Sequence, residues 1–228
     1  MSIGEIVLPK LLYKADSKYN GAIEVYQVGH TRKLSVNDTV QSINWDSPSV
    51  MNRVWGRIVE VAKDLRPDAK NVLMFGLGGG TILHAFAKEM PGVNLTVVEI
   101  DPIMIDVAQK FFDLDQIPNL TIVNDDALRV ISEPERYEFR EDSFDVLVVD
   151  IFCGDKYPDL GKSGTFFGGV KWFLREGGIV LFNRIYLEKH QYEADIFVEL
   201  VSETFSNVRT IPVAGRSNSD NILIVGEA

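Results

Sequence analysis

The chain has 228 residues, 46% hydrophobic and 25% charged, a balance that suits a globular protein with a buried core. Lys plus Arg number 23 against 33 Asp plus Glu, and the resulting charge of −10 argues against a phosphate-gripping nucleic-acid binder and against a protein held on an anionic membrane. A lone Cys153 excludes an internal disulfide framework. No apolar run approaches the ~18 residues of a membrane span, and MSIGEIVLPK lacks a basic-then-apolar export pattern, so a cytoplasmic setting is expected.

In chain order, AIEVYQV and TRKLSV, separated by Gly29-His30, predict a hairpin within residues 19–44, and Gln41–Ile43 predicts a further short strand. Ser47-Pro48 has the form of a helix cap with proline at the first helical position. Val50, Val54, Ile58, Val61, Ala62 and Leu65 then predict one amphipathic helix over 49–65, closed by Pro67. From Asn71 apolar strands at 71–75, 94–100, 120–123, 144–150 and 178–182 alternate with helical stretches at 80–90, 102–112, 126–133, 166–175 and 188–204. This alternation predicts an α/β fold with a doubly wound, Rossmann-like, mostly parallel sheet covered on both faces. NVRTIPV (207–213) and NILIVGE (221–227) are joined by too few residues for a crossover and are expected to pair antiparallel. The expected organisation is an N-terminal β region at 1–47 and the Rossmann-like domain at 48–228.

In such a sheet ligands sit beyond the carboxyl ends of the strands. Four features fall there: the loop Gly76-Leu77-Gly78-Gly79-Gly80-Thr81, then Glu99, then Asp125-Asp126, then Asp150. Glycines let backbone approach a ligand, and a carboxylate at Glu99 is spaced to accept from ribose hydroxyls. A nicotinamide dinucleotide wants glycine where Thr81 stands, and its pyrophosphate would face Asp126, Asp150 and Asp155. A cationic sulfonium nucleoside, S-adenosylmethionine or its decarboxylated form, fits this charge better. Simpler roles stand beside these: Asp126 as a helix cap, Glu99 and Asp101 as surface charges, and Asp150 as a polar strand end. His30, His84 and His190 form no ligand-spaced set, and no metal is expected. Gly161–Gly169 suits a flap over the acceptor or a plain surface loop, and Phe166-Phe167 suits core packing. Asn183, Arg184 and Tyr186 are further candidates at the acceptor side.

Gly76–Gly80, Val98-Glu99-Ile100-Asp101-Pro102, Asp125-Asp126-Ala127 and Asp145-Val146 through Asp150 follow, in order and spacing, the pattern of the spermidine synthase family. The sequence resembles the short prokaryotic spermidine-synthase-like proteins of that family, within the class I S-adenosylmethionine-binding fold. The resemblance implies a transferase that alkylates a small amine, with Gln41, Gly76, Gly78, Gly80, Glu99, Asp125 and Asp126 at the donor and Asp150 at the acceptor. It implies Asp126, ahead of Asp125, as the partner of the adenine amino group. Two family carboxylates are missing: Gly78 stands where synthases carry a loop aspartate, and Cys153 replaces the second acceptor aspartate, with Asp155 two residues on as a substitute. Both changes favour methyl over aminopropyl transfer. True polyamine synthesis and a non-catalytic nucleoside-binding scaffold remain the alternatives, and a homodimer is compatible with the N-terminal strand edges.

Overall fold

The computed structural model describes residues 8–152, 164–186, 190–215 and 221–228. Strands β1 (Lys10–Ser17), β2 (Gly21–Val28), β3 (Thr31–Val36) and β4 (Thr39–Ile43) form an antiparallel sheet in that order. The β2–β3 turn falls at Gly29-His30, as the sequence predicts. β1 was not foreseen. Ser17 is its one fully buried residue and Leu11 remains 48% exposed, so this edge strand carries no clear alternation to read. One face of the sheet, Ile23, Val25, Leu34 and Val36, packs on Met104, Val107 and Phe112.

Helix α1 spans Val54–Leu65 rather than 49–65. Residues 47–53 run instead through successive turns, with Val50 N–H donating to Ser47 O and Arg53 N–H to Val50 O. Ser47 therefore caps nothing, and Arg53 holds the cap position without a side-chain bond. The segment folds back onto the helix at Gly56, where a Cβ would lie 2.3 Å from Met51 Cα.

The remaining strands are β5 (Asn71–Phe75), β6 (Asn94–Val98), β7 (Leu120–Val123), β8 (Phe144–Val149), β9 (Leu174–Ile185), β10 (Ser206–Val213) and β11 (Asn221–Glu227). The helices between them are α2 (Thr81–Glu89), α3 (Pro102–Phe112), α4 (Ala127–Ser132), α5 (Gly164–Phe173) and α6 (Gln191–Ser202). The seven strands pair in the order β10-β11-β9-β8-β5-β6-β7, parallel from β9 to β7 and antiparallel across β9-β11-β10.

Successive side chains feed opposite cores. Val72 and Met74 meet α1 and α2 on one face, while Leu73 and Phe75 meet α4, α5 and α6 on the other. All six residues of β8 are buried, so truncating Leu147 to Ala would cost about 2–5 kcal/mol. Phe166 and Phe167 lie in the second core, where Phe167 packs on Phe182 and Phe197 and Phe166 packs on Phe167. Residues 164–169 thus open α5 instead of forming a flap, and Gly169 sits hard against Ile131 of α4. Gly161–Ser163 lie outside the described residues. β9 runs longer than expected because β8 and β11 pair with it on both sides, and the β11 ladder reaches Ile185. Asn183 and Arg184 are consequently strand residues.

Candidate active site

The ends of β5, β6 and β8 are laced together at one point. Gly76 N–H donates to Val98 O, and Asp150 N–H donates to Phe75 O, each at 2.9 Å. Gly76 has φ +92°, and a Cβ there would stand 2.3 Å from Asp150 O, so only glycine fits. Gly78, at φ +54°, is the second left-handed residue of the loop. β4 is stapled to this loop from above: Gly79 N–H donates to Ser42 Oγ at 2.8 Å, and Thr81 Oγ1 donates to Ile43 O at 2.7 Å. The small sheet is thereby held over the strand ends.

Glu99 is 8% exposed. Its Oε2 accepts from Leu77 N–H at 3.0 Å and its Oε1 from Asp101 N–H at 2.8 Å. Burial raises its pKa to about 7, against the pull of those two N–H groups and with a smaller push from the Asp101 charge. Asp101 is also buried. Its Oδ2 accepts from Ser17 Oγ at 2.5 Å and Asn20 Nδ2 at 2.7 Å, and its Oδ1 caps α3 through Ile103 N–H. The surface-charge reading of these two residues is therefore wrong: one carboxylate props the loop, and the other anchors the β1–β2 turn.

Asp125 accepts from Tyr137 Oη at 2.7 Å and from Asp126 N–H at 2.8 Å, and pairs with Arg129. The Tyr137 hydroxyl, the Asp126 N–H and Arg129 hold its pKa below the usual carboxylate range. Asp126 caps α4 with Oδ1 on Leu128 N–H at 2.8 Å, the capping role considered from sequence. Asp150 accepts from Asn183 Nδ2 at 2.7 Å, and Asn183 Oδ1 accepts in turn from Asn221 Nδ2 at 3.0 Å. Crowding by protein atoms lifts Asp150 to about 6, and the Asn183 bond opposes that rise.

Gln41, Gly76, Gly78, Glu99, Asp125, Asp126 and Asp150 all line one cavity of about 260 Å³. Gly80 does not line it. It precedes α2 in a left-handed turn, where a Cβ would press on Leu114. A second chamber of about 220 Å³ shares Gln41, Trp55, Asp150 and Phe152 with the first, and Asn183 and Asn221 form part of its wall. Arg184 stacks over Phe197 and Tyr186 donates to Asp195, and neither lines the chambers. Cys153 and Asp155 lie outside the described residues. Sequence reasoning missed Tyr19, Asn20, Ser42 and Trp55, which come to the cavity from the N-terminal sheet and α1. The polar Ser17–Asn20 turn was their faint signal, since two of its side chains needed a partner. Among the described residues no cluster of metal-binding side chains occurs, and no helix is long and apolar enough to cross a membrane.

The chain is similar to known proteins in sequence and in fold. A polyamine aminopropyltransferase of Vibrio vulnificus is 25% identical over 141 residues, covering 61% of this chain and 46% of that protein. An N-terminal histidine N-methyltransferase of Emericella nidulans is 31% identical over 150 residues, covering 61% of this chain and 26% of its own length. The chain thus spans less than half the length of either. The spermidine synthase structure from Thermotoga maritima superposes with a TM-score of 0.77 at 17% identity, over 96% of this chain and 72% of that one, a likeness of fold. Residues 52–225 match the spermine/spermidine synthase domain, and the chain belongs to that family.

Proposed function

We propose that the chain is a methyltransferase that moves the methyl group of S-adenosylmethionine onto a small amine. The observation that carries this reading is the convergence of Glu99, Asp126 and Asp150 on one cavity with a second chamber beyond Asp150. Each Glu99 oxygen spends one acceptor position on backbone and keeps another for a ribose hydroxyl. Asp126 commits Oδ1 to its helix and has Oδ2 for the adenine amino group, whereas both Asp125 oxygens are already engaged. The bare backbone at Gly76 and Gly78 suits the methionyl portion, and Gln41 borders both chambers.

The chemistry is an in-line displacement. The amine lone pair forms the new N–C bond, the C–S pair returns to sulfur, and a neutral thioether leaves without needing a general acid. An alkyl amine near pKa 10 is mostly protonated at neutral pH and must lose a proton. Asp150, at about 6, is ionised there and sits where the chambers meet, so it orients the ammonium and accepts its proton. Positioning supplies the rest.

Gly78 and Cys153, at places where synthases carry carboxylates, support methyl transfer. Aminopropyl transfer from the decarboxylated donor is the second reading, favoured by likeness to polyamine aminopropyltransferases. Incubation with each donor and a panel of amines separates them: S-adenosylhomocysteine marks methyl transfer, and methylthioadenosine marks aminopropyl transfer. Binding of both donors with neither product would leave a scaffold and refute both.

A further inference from the structure

The second chamber has a wall unlike that expected for a diamine. Besides Asp150, Asn183 and Gln41 it contains Arg53, the one cationic side chain among its described lining residues. Arg53 is half-buried, its guanidinium lies 5.7 Å from the Trp55 ring centroid, and its Nε is buried with no hydrogen-bond partner among the described residues. One helical turn on, Arg57 is neutralised by Glu60 at 2.7 Å. No carboxylate pairs with Arg53 among the described residues, so the positive charge it brings to the chamber wall favours an anion there. A diamine would bring a second ammonium toward this fixed positive charge, in a partly buried space where like charges repel strongly.

We propose that this chamber receives an amino-carboxylate zwitterion, with its carboxylate on Arg53 and its ammonium on the Asp150 side. The inference rests on the transferase reading above and narrows its substrate class. A fork-shaped guanidinium matches a carboxylate with two parallel bonds, and Asn52 and Ser49 lie in the same wall with an amide and a hydroxyl able to donate to its edge. Two molecules carry this chemistry: the methionyl end of intact S-adenosylmethionine, reaching in past Asp150, and a free amino acid serving as acceptor. The chamber, about 220 Å³, opens beside the 260 Å³ cavity and shares Asp150 with it, so a compact group of either kind would enter it within reach of the donor.

Calorimetric binding to the intact chain, wild type against Arg53→Met and Arg53→Lys, tests this. Methylthioadenosine, which has no charged tail, is expected to bind all three equally. If the donor supplies the zwitterion, Arg53→Met weakens S-adenosylmethionine by at least about ten-fold and leaves its decarboxylated form unchanged or tighter. If the acceptor supplies it, both donors keep their affinity. With methylthioadenosine bound, γ-aminobutyrate and lysine then lose about ten-fold or more in Arg53→Met, while putrescine does not. Arg53→Lys retains part of the affinity in either case and guards against a folding defect in the methionine variant. Arg53→Met changing none of these affinities, or putrescine outbinding γ-aminobutyrate on wild type, overturns the inference while the nucleoside site stands. Failure of methylthioadenosine to bind wild type overturns the donor site itself, and this inference with it.

Discussion

Replacing Asp150 with asparagine should make the ligand-free protein more stable while disabling it. Asparagine keeps an oxygen for Asn183 Nδ2 and removes a carboxylate that protein atoms desolvate. Moving a carboxyl pKa from 3.8 to about 6 corresponds to on the order of 3 kcal/mol. The sign follows from proton counting. Between about pH 4 and 6 the folded chain holds a proton that the unfolded chain has released, so Asp150 erodes stability as pH rises through that window. Asp150→Asn should therefore gain about 1–3 kcal/mol at pH 8, some relaxation being allowed for, with the gain about halved by pH 5 and gone near pH 4. Urea unfolding at several pH values measures this. Turnover should fall about a hundred-fold or more, with donor affinity within a few-fold of wild type. A variant no more stable than wild type at pH 8, or one whose gain is independent of pH, refutes the desolvated-carboxylate account. Equal losses in turnover and donor affinity would remove Asp150 from the proton-accepting role.

The other predictions concern its neighbours. Glu99 titrates at about 7, and ribose hydroxyls favour its ionised form, so donor binding at pH 7 should release about half a proton. Calorimetry in buffers of different ionisation enthalpy reads this, and no buffer dependence would mean that Glu99 does not meet the ribose. Asn183→Ala deletes the bond that opposes the rise of Asp150, so the acid limb of the kcat/KM profile should move up from about pH 6 by roughly one unit. An unmoved limb would assign that limb to another group. Asp101→Asn weakens the bonds to Ser17 and Asn20 at a cost of about 2–4 kcal/mol, and limited proteolysis should then cut first within residues 10–44. Cleavage spread evenly over the chain would show that Asp101 does not anchor that sheet.

The central strands were legible because a parallel strand buried on both faces is nearly continuously apolar, as NVLMF and FDVLVV are apart from Asn71 and Asp145. The strand-end rule picks out Glu99 and Asp150 from the sequence alone, because a carboxylate closing such a run is conspicuous. β1 was not legible, since an edge strand with one buried residue has no alternation to show. The start of α1 misled for another reason: Ser47-Pro48 has cap chemistry, but contact between Met51 and Gly56 imposes turns up to Arg53. The relay from Asn221 through Asn183 to Asp150 joins residues 38 and 33 positions apart in sequence, and a chemically ordinary asparagine announces no such partner.

The bond between Ser17 and Asp101 spans 84 positions, and the one between Ser42 and Gly79 spans 37. The roof of the cavity is thus made from the first fifth of the chain and closes only after segments far apart have met. A molecule with its large sheet complete and its small sheet detached would keep most of its helical and strand content yet have no pocket to fill. Bound donor should act as a latch against that opening, slowing amide exchange in β1–β4 well before it affects β5 or β8.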